Sequence, residues 1–404
     1  MSTSLQLGSQ FEIQSFIRPN ISSLKPYRCA RDDYEVGILL DANENSLGNS
    51  LTSTLTEPPL DVHSLSLHRY PSPSNLPIKQ NLCTYRNQSN PSLTPLEPEN
   101  VFLGVGSDEV LDLLFRISCK PGHTESLGDQ ILITPPTYGM YTVCAHVNDL
   151  GVINVPLDQD FVIEPQKIID AIISQPENRP IKLVILCSPG NPTGTTIPLK
   201  TIESILSNKS FTGLVVVDEA YIDFAGNDKS ALLLLRKGYK NLVVVQTLSK
   251  GFGLAGIRLG IAYGSKELIQ ILNNTKAPYT ISTPTSTLAY NATLLESLKK
   301  TQENIDQILS NRIWLSTHLL KLQGIGNILG ASEANFILIE ILRDGVPNSE
   351  RAKKVYQTMA GGEVVVRYRG DEVGCKGCLR ITVGTMNECE VVVKKLKETL
   401  ELIP

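Results

Sequence analysis

The sequence predicts an α/β protein with a mainly parallel sheet in a large domain and a smaller α+β domain toward the C-terminal end. From about residue 71 to 290, short apolar runs alternate with helical patterns, which is typical of βαβ units. Several runs, such as residues 242–245, are apolar at every position, as expected of strands that are buried on both faces. With 404 residues, of which 41% are hydrophobic, the chain is long enough for two domains.

Three regions are expected along the chain. Residues 1–70 are predicted to form an N-terminal arm that contributes to the small domain and to a dimer contact, because their prolines discourage long regular elements. Residues 71–290 would form the large domain, and residues 291–404 the small one. Within the small domain, strands are expected at residues 335–339 and 379–383.

Lys250 is the most informative residue, since it follows an apolar run and precedes the glycine-rich turn 251–256. Ligands of parallel sheets collect beyond the carboxyl ends of the strands. Burial there lowers the pKa of a lysine and yields the neutral amine that forms a Schiff base. The hydroxyls of Thr247 and Ser249, the turn amides and Arg258 could hold a phosphate. An aldehyde that carries a phosphate, pyridoxal 5'-phosphate, fits this combination.

Two other interpretations of the same segment stay open. Gly251, Gly253 and Gly256 match the dinucleotide-binding pattern G-x-G-x-x-G, although no acidic residue lies about twenty positions further on to bind a ribose. Alternatively, Lys250 is a surface residue at an ordinary turn between a strand and a helix.

Polar residues also follow three other apolar runs. Residues 214–217 end at Asp218, whose carboxylate could hold a protonated pyridine nitrogen or could simply cap a helix. Asn191 lies in a proline- and glycine-rich turn, which either aims its amide at the ring's phenolic oxygen or is a turn and nothing more. The glycine-rich loop 104–109 opens a helical pattern, where backbone N–H groups receive phosphates.

These motifs together resemble a known family. The ordered set Gly-Ser-Asp-Glu, Pro-Thr-Tyr, Asn-Pro-Thr-Gly, Asp-Glu-Ala-Tyr and Ser-Lys, with an arginine eight residues later, resembles the fold-type I pyridoxal-phosphate transferases. Residues 40–45 (Leu-Asp-Ala-Asn-Glu-Asn), 69–71 (Arg-Tyr-Pro) and 378–385 (Cys-Leu-Arg-Ile-Thr-Val-Gly-Thr) resemble the histidinol-phosphate aminotransferases. The resemblance extends from about Arg18 to the C-terminus.

The resemblance implies catalytic roles for Lys250, Asp218 and Tyr221. Lys250 would bind the cofactor's aldehyde and move a proton, Asp218 would pair with the pyridine nitrogen, and Tyr221 would contact the phenolic oxygen. The implied cofactor-binding residues are Ser107, Asp108, Tyr138, Asn191, Asp218, Tyr221, Thr247, Ser249, Lys250, Arg258 and, from a neighbouring subunit, Tyr70. The implied substrate-binding residues are Tyr27, Asn43, Asn335, Arg367 and Arg380.

The expected function is an aminotransferase that interconverts L-histidinol phosphate and 2-oxoglutarate with imidazole acetol phosphate and L-glutamate in histidine biosynthesis. Two arginines, Arg367 and Arg380, suit a dianionic phosphate better than a single carboxylate, although Arg367 could also be a solvated surface residue. The alternatives are an aromatic amino-acid aminotransferase, a decarboxylase of a phosphorylated amino acid, and a non-catalytic binding module built on the same fold.

Composition narrows the partners to small-molecule substrates and a second copy of the chain in a homodimer. A net charge of −4 and a pI of about 5.8 argue against nucleic acid and against anionic membranes. No signal or transit pattern is visible, so a cytoplasmic enzyme is expected. The cysteines are expected to be mostly buried free thiols, and the isolated C-x-x-C at 375–378 does not predict a metal site.

Overall fold

The computed structural model describes residues 16–25, 30–34, 36–52, 65–122 and 128–403. The helices of these ranges are α1 (Pro19–Ser22), α2 (Leu76–Asn87), α3 (Gly106–Ser118), α4 (Met140–Val147), α5 (Pro165–Ile173), α6 (Leu199–Leu206), α7 (Leu232–Arg236), α8 (Lys266–Thr275), α9 (Thr283–Ala292), α10 (Leu295–Leu319), α11 (Ser349–Gly361) and α12 (Met386–Leu402). None of them combines the length and the apolar character that a membrane crossing requires.

A seven-stranded sheet in the order β2-β8-β7-β6-β5-β3-β4 forms the centre of the large domain. Its strands are β2 (Val101–Val105), β3 (Gln130–Ile133), β4 (Gly151–Asn154), β5 (Ile181–Cys187), β6 (Leu214–Asp218), β7 (Leu242–Thr247) and β8 (Leu259–Tyr263). Strands β3 to β7 pair in parallel, whereas β8 runs antiparallel to both of its neighbours, β2 and β7. The prediction of a mainly parallel sheet is confirmed.

Alternate residues of the central strands pack on opposite faces of this sheet. Val215 and Val217 belong to one buried apolar cluster, and Val216 between them belongs to another. This alternation follows from the two-residue period of a strand, and apolar residues on both faces explain why the run is continuous. Helices such as α3 and α6 contribute residues to these clusters, so the sheet is covered on both sides.

The glycine-rich turn after β7 contains one turn of 3-10 helix, Ala255–Ile257, and then leads into strand β8 and not into an α-helix. The dinucleotide-binding pattern requires a strand followed by a helix, so this geometry does not support that interpretation. The alternative of an ordinary turn between a strand and a helix is not supported either. Nothing in the residues 251–256 themselves distinguishes a strand from a helix beyond them.

A second, antiparallel sheet occupies the small domain, in the order β11-β10-β14-β13, with β9 also paired to β10. Its strands are β9 (Ile325–Leu329), β10 (Phe336–Arg343), β11 (Val346–Pro347), β13 (Arg367–Tyr368) and β14 (Cys378–Thr382). Helices α10, α11 and α12 contact one another or this sheet and share its apolar core. Both strands expected from the sequence are present here.

The N-terminal part of the chain joins the small domain through one pair of short strands. Strand β1 (Ile38–Leu39) pairs in parallel with β12 (Val364–Val365). The residues that follow β1 therefore lie between the small sheet and the carboxyl ends of the large one. The division of the chain at residues 70 and 290 stays a prediction.

The described cysteines are buried and free, as expected from the sequence. They are Cys83, Cys119, Cys144, Cys187, Cys375, Cys378 and Cys389. Burial raises the pKa of several of these thiols, including that of Cys83 to about 12, which keeps them protonated and unreactive.

Candidate active site

A cavity of about 260 Å³ lies at the carboxyl ends of β5, β6 and β7, where the small sheet approaches them. Of the residues predicted to bind cofactor or substrate, its wall contains Asn43, Ser107, Asp108, Tyr138, Asn191, Asp218, Tyr221, Thr247, Ser249, Lys250, Arg258, Arg367 and Arg380. The wall also contains residues that the sequence analysis did not assign, namely Asp41, Ala42, Glu44, Cys187, Ala220, Ala255 and Arg369.

Lys250 reaches into this cavity from the end of β7. Its Nζ donates a hydrogen bond to the carbonyl oxygen of Ala42 at 2.7 Å and lies 5.8 Å from the centre of the Tyr221 ring. Burial and, next, the positive charge of Arg380 lower the pKa of Lys250 to about 8. A larger share of neutral amine is therefore available near neutral pH than for a surface lysine.

Asp218 ends strand β6 and is buried. Its Oδ2 accepts a hydrogen bond from Tyr141 Oη at 2.6 Å, and its Oδ1 accepts the backbone N–H of Ala220 at 3.1 Å. Burial raises the pKa of Asp218 to about 6, while these two hydrogen bonds oppose the rise. A cation placed beside this carboxylate would be held by a charge-assisted bond in a site that excludes water.

Tyr141, which the sequence did not single out, is the side chain that binds Asp218 Oδ2. It is fully buried on α4, and its ring meets that of Tyr138 edge to face at a centroid distance of 5.6 Å. Tyr138 precedes this helix, which begins at Met140, so a helical spacing does not link the two tyrosines in the sequence.

Glu219 lies directly after Asp218 but takes no part in the cavity wall. Its carboxylate accepts hydrogen bonds from Ser230 Oγ at 2.7 Å, Gln246 Nε2 at 2.8 Å and the N–H of Ala231 at 2.6 Å. Burial nevertheless raises the pKa of Glu219 to about 7, so near neutral pH this buried carboxyl carries a proton for part of the time.

Glu219 should make the protein less stable as the pH rises. The folded state keeps a proton on this carboxyl up to a pH of about 7, whereas the unfolded chain releases it near pH 4.3, so stability falls between these values. Glu219→Gln removes the titration, and the free Oε1 of Gln246 offers its amide an acceptor. From pH 5 to pH 8, the melting temperature should fall more for the wild type than for the variant. Equal falls would contradict this account.

The first turn of α3 and the residue Arg258 form a cup beside the lysine. Gly106 starts the helix with φ at 72°, and its N–H donates to the carbonyl oxygen of Arg258 at 3.0 Å. This positive φ favours glycine, and a Cβ at Gly106 would also lie 2.5 Å from Arg258 Nη2 and displace that side chain. Ser107 and Asp108 follow, with unpaired N–H groups of the helix start facing the same space.

Two hydroxyls face this cup, and their hydrogen bonds differ. Thr247 Oγ1 donates to the carbonyl oxygen of Leu259 at 3.0 Å and accepts the backbone N–H of Ser249 at 3.1 Å. Ser249 Oγ lies 2.9 Å from Thr247 Oγ1. Because the Thr247 proton goes to Leu259, Ser249 is the donor in this pair, and its hydroxyl can donate to an anion by turning away from Thr247.

Asn191 and Tyr221 lie on the side of the cavity next to the small sheet. Asn191 Oδ1 accepts a hydrogen bond from Arg380 Nη1 at 2.6 Å. Arginine can only donate, so this bond fixes the orientation of the amide and leaves its NH₂ group to face a ligand. Tyr221 Oη accepts a hydrogen bond from Asn43 Nδ2 at 2.9 Å.

Three arginines line the end of the cavity formed by the small sheet. Arg367 on β13 is directly opposite Arg380 on β14 in the antiparallel register, and Arg369 lies two residues beyond Arg367. Burial and then the charge of Arg369 lower the pKa of Arg380 to about 9. Like charges opposite each other destabilise a sheet, so this arrangement is typical of a site that binds an anion.

Two predicted site residues within the described ranges, Tyr70 and Asn335, do not line the cavity. Tyr70 is 82% exposed and stacks on Tyr279 at a centroid distance of 4.7 Å. Asn335 lies behind the cavity wall, where its amide donates to the carbonyl oxygens of Asn43 at 3.0 Å and Glu44 at 3.2 Å. Direct contact between Asn335 and a substrate is not supported by this geometry. Tyr27 lies outside the described residues.

The comparisons with known proteins agree with this geometry. Residues 35–396 match the family model "Aminotransferase class I and II". A histidinol-phosphate aminotransferase of Schizosaccharomyces pombe is 45% identical over 395 residues, which cover 97% of this chain and 98% of that relative. The chain belongs to the histidinol-phosphate aminotransferase family. The corresponding protein of Saccharomyces cerevisiae is 43% identical over 399 residues, covering 96% of this chain and 98% of that one.

Solved structures show the same fold for this transaminase. The histidinol-phosphate aminotransferase of Sinorhizobium meliloti, in complex with pyridoxal 5'-phosphate, superposes with a TM-score of 0.80 at 20% identity and covers 99% of this chain and 100% of that one. An aspartate aminotransferase of Thermus thermophilus gives a TM-score of 0.75 at 20% identity, covering 95% of this chain and 99% of that one. The predicted fold type I is confirmed.

The transaminase is an enzyme that depends on pyridoxal phosphate, as predicted. The residues of the cavity fit this cofactor. A buried carboxylate, Asp218, suits a protonated pyridine nitrogen, and the helix start with Ser249 and Arg258 suits a phosphate. Lys250 supplies the amine between them.

Proposed function

We propose that this enzyme transfers the amino group of L-histidinol phosphate to 2-oxoglutarate, which gives imidazole acetol phosphate and L-glutamate in histidine biosynthesis. The observation that carries this proposal is the opposed pair Arg367 and Arg380 at the cavity, with Arg369 beside it. A dianionic phosphate would neutralise charges that otherwise repel each other across the sheet. The family of the chain supports the same substrate.

When bound, pyridoxal phosphate supplies an aldehyde that captures amines and a ring that withdraws electrons from the neighbouring carbon. Lys250 is proposed to take the proton from the substrate carbon and return it to the adjacent one. A base works best when its pKa is near the working pH, and the lowered pKa of Lys250, about 8, meets this condition.

Asp218 is proposed to hold the pyridine nitrogen in its protonated form. Tyr141 Oη and the N–H of Ala220 each bind one oxygen of this carboxylate and so fix its plane. The NH₂ of Asn191 and the hydroxyl of Tyr221 would donate to the ring's phenolic oxygen, and Tyr138 would stack on the ring face.

The cofactor's phosphate is proposed to bind at the start of α3. The backbone N–H groups of Ser107 and Asp108, the hydroxyl of Ser249 and the guanidinium of Arg258 would be its donors. Asp108 would act through its main chain, because its carboxylate accepts from Tyr138 Oη at 3.2 Å and lies 3.6 Å from Arg258 Nη2. The Asp108 carboxylate would thus orient Tyr138 and Arg258 beside the cofactor.

Asn43 and Asn335 are proposed to border the substrate at different distances. Asn43 lines the cavity and holds the hydroxyl of Tyr221, so it is suited to direct contact. Asn335 binds the backbone carbonyls of Asn43 and Glu44, so we propose that it positions this segment. Tyr27 is proposed to bind the substrate's phosphate because the sequence around it resembles that of the family.

A donor comparison tests the proposed substrate. Purified enzyme with pyridoxal phosphate and 2-oxoglutarate should form glutamate from histidinol phosphate with a kcat/KM well above the values for phenylalanine and tyrosine. Because one cavity must accept the donor and then the oxo acid, the kinetics should be ping-pong. A preference for phenylalanine or tyrosine would favour an aromatic amino-acid aminotransferase instead.

We also propose a homodimer in which Tyr70 completes the site of the neighbouring subunit. Tyr70 is largely exposed and does not line the cavity of its own chain, which supports a role in another chain. A cytoplasmic location is proposed because the described cysteines are free thiols, which persist in a reducing compartment. The limits of the arm, the large domain and the small domain are proposed at residues 70 and 290.

Mixing two inactive variants should restore activity if Tyr70 acts across the dimer. In a heterodimer of a Lys250→Ala chain and a Tyr70→Phe chain, one site keeps both residues, so random exchange should recover about one quarter of the wild-type activity. Activity is measured after subunit exchange has been confirmed by native mass spectrometry. No recovery would show that Tyr70 acts within its own chain.

A further inference from the structure

We propose that Arg369 is a third arginine of the substrate's phosphate site, and that Glu372 holds it in place until the phosphate binds. This proposal rests on the proposed function, since it names a further residue for the same substrate. Neither Arg369 nor Glu372 was assigned a role from the sequence.

The position of Arg369 in the small sheet brings its side chain to the cavity. Its backbone N–H donates to the carbonyl oxygen of Cys378 at 2.9 Å, which continues the pairing of Arg367 with Arg380 by two residues. Residues two apart on a strand face the same side. Arg367 and Arg369 therefore point to one face, and all three arginines line the cavity wall.

The hydrogen bonds of Arg369 leave much of its guanidinium available. Its Nη1 binds Glu372 Oε1 at 2.5 Å, with side-chain exposures of 20% and 28%. Its Nε is buried and has no acceptor within the described part of the chain, and the same holds for Glu372 Oε2. Because Nε is closed off from the cavity, the Nη groups are the part of Arg369 that could donate to a ligand there.

The arginines at this end of the cavity also favour an anion, since two carboxylates of the wall, Asp41 and Glu44, already face Arg31. Arg367, Arg369 and Arg380 bring three positive charges together, and Arg369 is the neighbour that disfavours the charged form of Arg380 most. Glu372 supplies one negative charge on the outer side of Arg369. A phosphate dianion would supply two charges and enough oxygens for several guanidinium forks, whereas one arginine already satisfies a carboxylate.

Arg369 should therefore contribute to the choice of amino donor. Arg369→Gln should lower kcat/KM for histidinol phosphate about ten- to a hundredfold, mainly through KM, and the loss should be at least about tenfold greater than with glutamate. Arg369→Lys should restore part of the loss, because it returns the charge without the planar fork. Lys376→Gln removes an exposed charge from the same hairpin and is the matched control.

Inorganic phosphate separates this role from a structural ion pair. In the glutamate half-reaction of the holoenzyme, phosphate should inhibit the wild type competitively, and Arg369→Gln should raise the inhibition constant about tenfold or more. Glu372→Gln should lower that constant, because it removes the anion that competes for Arg369. An ion pair with a structural role alone would make the two variants change in the same direction, which would overturn the proposal.

The two proposals fail in different ways. A wild-type enzyme that does not use histidinol phosphate would contradict the proposed function, while phosphate inhibition would still test Arg369. Suppose instead that the wild type uses histidinol phosphate. If Arg369→Gln then lowers kcat/KM equally for both donors, or leaves both values unchanged, only the role of Arg369 is overturned.

Discussion

Replacing Lys250 with alanine should reduce turnover by at least about 10⁴-fold, because the same amine binds the cofactor's aldehyde and transfers the proton. The visible absorbance of the lysine-bound cofactor should be lost. The far-UV circular dichroism should be retained, since the hydrogen bond from Nζ to the carbonyl oxygen of Ala42 is the contact that the substitution removes from this part of the fold.

Lys209→Ala provides the control, because Lys209 is exposed, does not line the cavity, and precedes β6 at the end of that strand opposite to Asp218. It should keep both the absorbance and the turnover of the wild type. Normal turnover by Lys250→Ala would overturn the assignment of this cavity as the catalytic site.

Removing either of the opposed arginines should have the second largest effect, and the two variants should differ. Loss of one charge-assisted pair from a desolvated site costs about 2 to 4 kcal/mol in kcat/KM, or roughly thirty- to a thousandfold. Arg367→Ala should lower kcat/KM more for histidinol phosphate than for glutamate. Arg380→Ala should lower kcat/KM for both substrates, because Arg380 is proposed to bind the phosphate in one half-reaction and a carboxylate in the other.

The spectrum of the cofactor should distinguish the same two variants. Arg380 holds Asn191 Oδ1 at 2.6 Å and also donates to the carbonyl oxygen of Asp41, so its removal should release the amide that faces the ring. The absorbance should shift in Arg380→Ala and stay unchanged in Arg367→Ala. Equal losses with both donors in Arg367→Ala would favour an aromatic amino-acid aminotransferase.

Much of the large domain could be predicted from the sequence, because each buried strand is a continuous apolar run and its polar end residue is easily recognised. Asp218, Asn191 and Lys250 were found in this way, and the structure brings them to one cavity. The partners of these residues were harder to find. Tyr141 binds Asp218 across 77 residues of sequence, and no local pattern reports such a contact.

The small domain was less predictable for a different reason. Strand β13 is two residues long, too short for an alternating pattern to be read, so the common direction of Arg367 and Arg369 was not visible. The direction of β8 was also missed, because the turn before it contains glycines that suit either a helix or a strand. Pairing partners determine these features, and pairing is a property of the whole fold.

Residues 41–45 have a consequence for the order in which the protein is assembled. Asn43 N–H donates to Thr382 Oγ1, a partner 339 residues later, at 3.1 Å. At about 5–20 residues per second, a ribosome needs roughly 20 to 70 s to synthesise the chain between them. During that time this segment emerges early and waits without the strand that will cover it. The nascent chain therefore cannot complete this side of the cavity before translation is nearly finished.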